Sequence, residues 1–291
     1  MNIIAGGAQI GNIYGISNYN SKKKIDQIEF KKIFNFLKKN KIKYVDSALE
    51  YKNSLKILSN YNNKINVIIK IPVRNKKFRI SDFLKDINIC FKLFQSKKIY
   101  CIMIHDTNNF ITLSKKNRNE ILSLLNNFKK DNKIKKIGFS LYHPRELNKI
   151  INYADVIQIP MNLFDQRFDN LKIIKKILKK KIKIHVRSIF LQGLIFLNNN
   201  KISKLLNIKS KKIKLFFTKY KTKEERIFNC LNYIKTRNFI SNIIIGFTDI
   251  KELEEIIKIY KKKSIKKNYK KFIIYNKNII LPYLWKKNLK N

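Results

Sequence analysis

Four residues of the kinds that move protons stand at the ends of short apolar runs or just beyond them. Asp46 closes a run begun by Tyr44 and Val45, and Tyr51 follows five residues later. Lys70 closes Asn66-Val67-Ile68-Ile69, and His105 closes Ile99-Tyr100-Cys101-Ile102-Met103-Ile104. A phenol titrates near pH ~10 in water, so proton donation at neutral pH calls for a cation beside it and a carboxylate to hold that cation. With Tyr51 as the acid, Lys70 would lower its pKa, Asp46 would orient Lys70, and His105 would hydrogen-bond the same substrate oxygen. That set suits a carbonyl. None of the four is a strong nucleophile, so a hydride would have to come from a cofactor. Singly, each has a plainer reading. An aspartate after a strand commonly caps a helix, and one lysine in a chain this rich in lysine carries little information, so the weight rests on the conjunction.

The elements that must position these residues alternate along the whole chain. β-Branched runs near residues 3–7, 43–46, 66–70, 99–105, 135–140, 155–160, 183–188 and 242–246 read as strands. Helical patterns fill the intervals: 28–40, 54–62, 81–94 with Ser81 as N-cap, 116–130, a short helix from Pro144 to residue 151, 169–180 and 223–236. A last helix over 249–260 has Asp249 as N-cap and Glu252 at capping-box spacing. Residues 192–222 read as irregular, including an asparagine-rich loop at 197–200. Eight strand–helix units predict an α/β fold, a closed (β/α)8 TIM barrel spanning residues 1–291 as a single domain, with a basic tail from about residue 261. An open doubly wound sheet would more naturally carry GxGxxG after its first strand. Here Ile3-Ile4-Ala5-Gly6-Gly7-Ala8-Gln9-Ile10-Gly11 is a strand entering a glycine-rich turn without that motif. In a barrel the site lies at the C-terminal strand ends, which gives Asp46, Tyr51, Lys70 and His105 one common mouth.

Bulk properties bound the rest. The 291 residues hold 65 Lys and Arg against 19 Asp and Glu, a formal net charge of +46, with 44% hydrophobic residues. Such a charge raises polyanion or nucleic-acid binding as an alternative function. The lysines are dispersed, however, and accompany an excess of isoleucine and asparagine, the mark of an AT-rich coding sequence, which weighs against a dedicated nucleic-acid surface. Cys90, Cys101 and Cys230 are odd in number and lack metal-ligand spacing, so no metal site is expected. No apolar stretch reaches the roughly 18 residues of a membrane span, and the N-terminus has no basic, apolar leader pattern. A cytoplasmic protein with no membrane partner is the expectation.

The segment Asp46-Ser47-Ala48-Leu49-Glu50-Tyr51-Lys52-Asn53-Ser54-Leu55-Lys56-Ile57-Leu58-Ser59 resembles the DTAxxYGxSExxLG signature of the aldo/keto reductase superfamily. Further matches follow in order: Lys70, Ile104-His105-Asp106, Gly138-Phe139-Ser140, Val156-Ile157-Gln158-Ile159-Pro160, and Arg187-Ser188-Ile189-Phe190-Leu191-Gln192-Gly193-Leu194. The opening Gly6-Gly7-Ala8-Gln9-Ile10-Gly11 and the RSxFLQGL segment are similar to those of a bacterial branch. The resemblance implies an NAD(P)-dependent oxidoreductase that interconverts a carbonyl and an alcohol on a small or sugar-like substrate by hydride transfer, with Asp46, Tyr51, Lys70 and His105 as catalytic tetrad. It also implies cofactor contacts from Ser140, Gln158, Arg187, Ser188, Gly246, Phe247 and Thr248: Ser140 and Gln158 on the carboxamide, Arg187 stacked on the nicotinamide, and Gly246 to Thr248 near the adenosine phosphate. Both NADP and NAD stay open as cofactor, because Gly246-Phe247-Thr248-Asp249-Ile250-Lys251-Glu252 lacks the arginine of NADP-preferring members. Lys52, Leu55, Ser59 and Leu141 replace the family's glycine, glutamate, glycine and asparagine; Lys52 in particular is expected to shift the Tyr51 loop, and a catalytically silent regulatory subunit is the second alternative. Of the other polar residues, His185 inside a strand reads as a packed, hydrogen-bonded histidine, His143 as a loop anchor, and Asp165 with Arg167 as a local ion pair.

Overall fold

The structure, a computed structural model, describes residues 1–16, 23–61, 64–74, 78–95, 99–198, 200–202 and 209–287. The expected end of the second helix at residue 62, residues 199 and 203–208 of the irregular section and the last four residues of the tail lie outside these. Eight parallel strands, β1 (Asn2–Gly6), β2 (Tyr44–Ala48), β3 (Asn66–Ile71), β4 (Ile99–Ile104), β5 (Ile134–Ser140), β6 (Val156–Pro160), β7 (Lys183–Arg187) and β8 (Asn242–Ile245), pair in chain order and close where β8 meets β1. This is the (β/α)8 barrel, as the alternation predicts.

Two-residue periodicity decides what the barrel encloses. Ile4, Ile68, Cys101, Met103, Val156 and Ile244 form a buried cluster of their own, the filling of the barrel. Stepping by two along the strands from these residues reaches Gly6, Lys70, His105, Gln158 and Gly246 at the C-terminal rim. The alternate residues, such as Ile69, Ile71, Ile102 and Ile104, belong to the larger core between the strands and the surrounding helices. The site residues are thus the next inward layer above an apolar floor.

Carboxylates and small hydroxyl or amide side chains start the helices. Asp26, Asp106, Ser114, Asn170, Ser210, Thr222 and Asp249 each accept a hydrogen bond from a backbone amide of the first turn. Ser81 is not a cap: the helix Ile80–Leu93 begins one residue earlier, after Arg79, without a side-chain cap. The tail is pinned by its apolar residues. Tyr269, Phe272, Ile279, Ile280, Leu281 and Trp285 are buried, and Ile274 N donates to Phe164 O at 2.9 Å.

His185, fully buried on β7, accepts at Nε2 from Asn242 Nδ2 of β8 at 2.7 Å, which leaves its proton on Nδ1. Burial pushes its pKa down to about 4. The ring is neutral in the folded chain but protonates near its ordinary value once unfolded, so the stability it contributes is complete above about pH 6.5 and is lost as pH falls toward 4. A loss of about 3 kcal/mol over that window is expected. Denaturant unfolding at pH 7, 5.5 and 4 checks it, and His185→Gln should flatten the slope.

Candidate active site

Asp46 is the hub of the rim. Lys70 Nζ donates to its Oδ2 at 2.5 Å and Gln158 Nε2 to its Oδ1 at 2.8 Å, and all three side chains are buried. Strand register makes this possible: Ala48 pairs with Lys70, so Asp46, two residues earlier on β2, lies one inward step below the lysine. Tyr51 follows β2 after a tight turn in which Leu49 N donates to Lys70 O and Tyr51 N to Ala48 O, both at 2.9 Å. The helix Lys52–Ser59 starts directly after Tyr51. Buried hydroxyls of Ser47 and Ser54, 2.9 Å apart, tie that helix back to the strand. Lys52 is the helix's first residue and Leu55 is buried in the core, so both departures from the family signature are absorbed by an intact strand–turn–helix unit. Gly7 allows the close approach of the β1 loop: a Cβ there would lie 2.7 Å from Asp46 O.

The four expected residues converge. Lys70 Nζ lies 5.5 Å from the centre of the Tyr51 ring, and the His105 ring stands edge-on to Tyr51 at 6.2 Å. His105 Nδ1 is 2.7 Å from Glu50 Oε2. The two lie at ion-pair distance without the alignment of a hydrogen bond, and Nε2 is the nitrogen left for other contacts. The electrostatics differ from the expectation that Lys70 lowers the Tyr51 pKa. Burial, then the Asp46 carboxylate and Tyr142, push the phenol well above the ordinary tyrosine range, with Arg187 pulling the other way. The main physical reason is burial, which disfavours the phenolate, and the Asp46 carboxylate beside Lys70 adds to it.

Two cavities meet at Tyr51 and His105. One runs past Gly6, Gln9, Asp46, Lys70, Ser140, Gln158, Arg187 and Ser188 to Gly246, Phe247, Thr248 and Glu252. All eleven residues expected at a tetrad or cofactor position therefore line one cleft. The other is walled by Tyr14, Glu50, Asp106, Asn109, Tyr142 and the tail residues Tyr283 and Trp285. Arg187 lies with its guanidinium 4.4 Å from the centre of the Tyr142 ring and donates to Leu141 O at 3.2 Å. It is thus already stacked on a tyrosine of the chain. The loop after β7 places Ser188, Leu191 and Gln192 at positive φ (60°, 46° and 52°), a conformation unfavourable to side-chain-bearing residues. Asn162 Nδ2 donates to Ser188 O at 3.1 Å and Gln192 Nε2 to Tyr14 Oη at 2.8 Å, which hold that loop against the one following β1.

The profile of the aldo/keto reductase family matches residues 2–273. The chain belongs to that family. Membership makes it an oxidoreductase of the carbonyl–alcohol type. Among solved structures, the aldo-keto reductase AKR11C1 from Bacillus halodurans, in its holo form, is similar to this aldo/keto reductase with a TM-score of 0.70 at 14% identity, over 91% of this chain and 88% of that one. The thermostable aldo-keto reductase Tm1743, solved with the inhibitor epalrestat, gives 0.63 at 14% identity over 93% and 92%. At these identities the likeness speaks to the fold. No curated protein sequence matches the chain.

Sequence reasoning missed part of this aldo/keto reductase's cleft: Gln9, Tyr14, Glu50, Tyr142, Gln192 and Glu252 all line one cavity or both. Glu50 and Tyr142 adjoin residues that were singled out, Tyr51 and Leu141, so adjacency was the available signal. Nothing local marks Tyr14, whose part depends on a partner 178 residues away. The Asp165–Arg167 ion pair read from the sequence forms, and it extends to the loop residue His143. Arg167 Nη1 is 3.1 Å from His143 Nδ1, and Arg167 Nε donates to Asp165 Oδ1 at 2.7 Å.

Proposed function

We propose that this chain reduces the carbonyl of a small or sugar-like substrate to an alcohol, using a nicotinamide dinucleotide bound along the cleft that runs from Tyr51 to Gly246. The observation that carries the reading is the position of Tyr51 and His105 where the two cavities join, with the Asp46–Lys70 pair immediately behind. The cleft also fits the cofactor. Gln158 Oε1 and Gln9 Oε1 are buried acceptors with no donor among the described residues, although such groups are nearly always satisfied. Gln158 Oε1 and the Ser140 hydroxyl suit a carboxamide; Gln9 lies beside Gly246, toward the other end.

When bound, the dinucleotide supplies the hydride. The chain's own residues do the remainder. Tyr51 donates its proton to the carbonyl oxygen, and His105, with Nδ1 beside Glu50, offers Nε2 to the same oxygen. Lys70, fixed by Asp46, places its ammonium 5.5 Å from the centre of the phenol ring. Aromatic walls from Tyr14, Tyr142 and Tyr283 suit the apolar face of a substrate, and Glu50, Asp106 and Asn109 suit hydroxyl groups. No helix among the described residues is long and apolar enough to cross a membrane.

The raised Tyr51 pKa sets the direction. A phenol protonated through the neutral and mildly alkaline range remains a loaded acid, so carbonyl reduction should be flat from pH 7 to about 9.5, whereas alcohol oxidation, which needs the phenolate, should climb with pH. Initial rates of NADH and NADPH consumption with a panel of aldehydes test the proposal. Absence of turnover with either dinucleotide across the panel would remove it, and a reduction rate that falls from pH 7 would mean that the acid's pKa is not held up by burial.

A further inference from the structure

We infer that the dinucleotide cleft selects NADH over NADPH, because its far end is already filled with carboxylate. The inference rests on the cofactor reading above. With the hydride donor required beside Tyr51 and His105, a dinucleotide lying along the cleft must place its adenosine toward the opposite end, formed by Gly246, Phe247, Thr248 and Glu252. A Cβ on Gly246 would meet only the Gln9 side chain, at 3.6 Å, so the backbone here opens onto the cleft and a ligand can approach it closely.

The helix Ile250–Tyr260 begins at this end, and a helix start with unsatisfied amides would welcome the extra phosphate of NADPH. Three amides of this turn are taken. Glu252 Oε2 accepts from Thr248 N at 2.6 Å and from the Thr248 hydroxyl at 2.9 Å. Asp249 Oδ1 accepts from Glu252 N at 2.8 Å, and Glu29 Oε1, from the helix Gln27–Lys39, accepts from Ile250 N at 3.0 Å. Two of the nearby cations are already paired: Lys23 lies 3.3 Å from Asp249 and Lys32 3.9 Å from Glu29. Among the described residues no cation reaches ion-pair distance of Glu252, the one carboxylate of the three that lines the cleft.

A 2′-phosphate carries close to two negative charges and no proton to give; placed beside Glu252 it meets a carboxylate that no cation among the described residues pairs. A ribose 2′-hydroxyl is a donor and can be received by a carboxylate, the arrangement by which an acidic side chain selects NAD in dinucleotide-binding folds. The Glu252 side chain therefore has two roles, holding the β8 turn and reading the ribose. The capping box read from the sequence would have aimed it at Asp249 N; instead it reaches Thr248.

Binding, measured apart from turnover, tests this. Dissociation constants are obtained for NADH and NADPH by fluorescence titration, and for 5′-AMP and adenosine 2′,5′-bisphosphate by calorimetry, so that the second pair reads the adenosine end alone. NADH should bind at least tenfold tighter than NADPH, about 1.4 kcal/mol, and 5′-AMP tighter than the bisphosphate. Glu252→Gln keeps an acceptor for Thr248 and removes the charge; it should narrow the ratio several-fold, mainly by tightening NADPH, with an unchanged melting temperature. If that variant does not fold, the two ratios for the unaltered chain still decide. NADPH bound as tightly as NADH or tighter overturns the inference and leaves the proposed function standing, whereas failure of both dinucleotides to bind overturns both.

Discussion

Tyr51→Phe is expected to lower kcat for carbonyl reduction by 10²–10⁴-fold, the range a positioned general acid contributes, while the dissociation constant for the dinucleotide changes less than twofold. The substitution removes one oxygen and retains the ring that stands edge-on to His105 and under Lys70. The turn that carries it is held by backbone hydrogen bonds and by the Ser47–Ser54 contact, none of which uses the phenol. Folding should therefore be unaffected, and the loss should fall on the chemical step. Single-turnover rates with bound dinucleotide, compared with melting temperature, separate the two; a variant within tenfold of the unaltered chain would exclude Tyr51 as the acid.

The second large effect concerns the pair behind it. Asp46 and Lys70 are each only 4% exposed, so neither charge can turn to water when its partner is lost. Lys70→Met leaves a buried carboxylate held only by Gln158, and Asp46→Asn leaves a buried ammonium; either should cost about 3–5 kcal/mol of stability and most of the activity. The double variant Asp46→Asn with Lys70→Met removes both charges and keeps an acceptor for Gln158 Nε2. It should regain most of the stability and none of the activity. Denaturant midpoints set beside reduction rates make the distinction. Recovery of both together would mean that the pair serves only to hold the barrel rim.

The contrast between what the sequence makes legible and what it hides has a physical basis. Alternation of β-branched runs with amphipathic helices is a local pattern, and a residue that ends a strand in a parallel barrel has one destination, so Asp46, Lys70 and His105 could be placed together from spacing alone. Interactions between those strand ends are another matter. Gln158 on β6 reaches Asp46 on β2 across 112 residues because of the barrel's closure, which no window of sequence encodes. Arg187 turns onto Tyr142, 45 residues earlier, for a similar reason: it takes a partner that only the assembled rim supplies. The reversed sign of the Tyr51 shift belongs here too. Residue types suggested a cation beside a phenol, but burial and the Asp46 carboxylate set the direction.

The scarce residue in this chain is the acid, 19 against 65 bases. Few acids are spare. Asp26, Asp106 and Asp249 begin helices; Asp155 takes the Ile137 amide and Lys129; Asp169 receives Arg237; Glu29 and Glu252 hold the β8 turn; and Asp46 anchors the rim. Tolerance to sequence change is therefore lopsided. An exposed lysine can drift to another polar residue with little structural consequence, whereas altering one of these carboxylates removes a specific acceptor from the fold. Most of the positional information in this strongly basic protein is written in its minority charge.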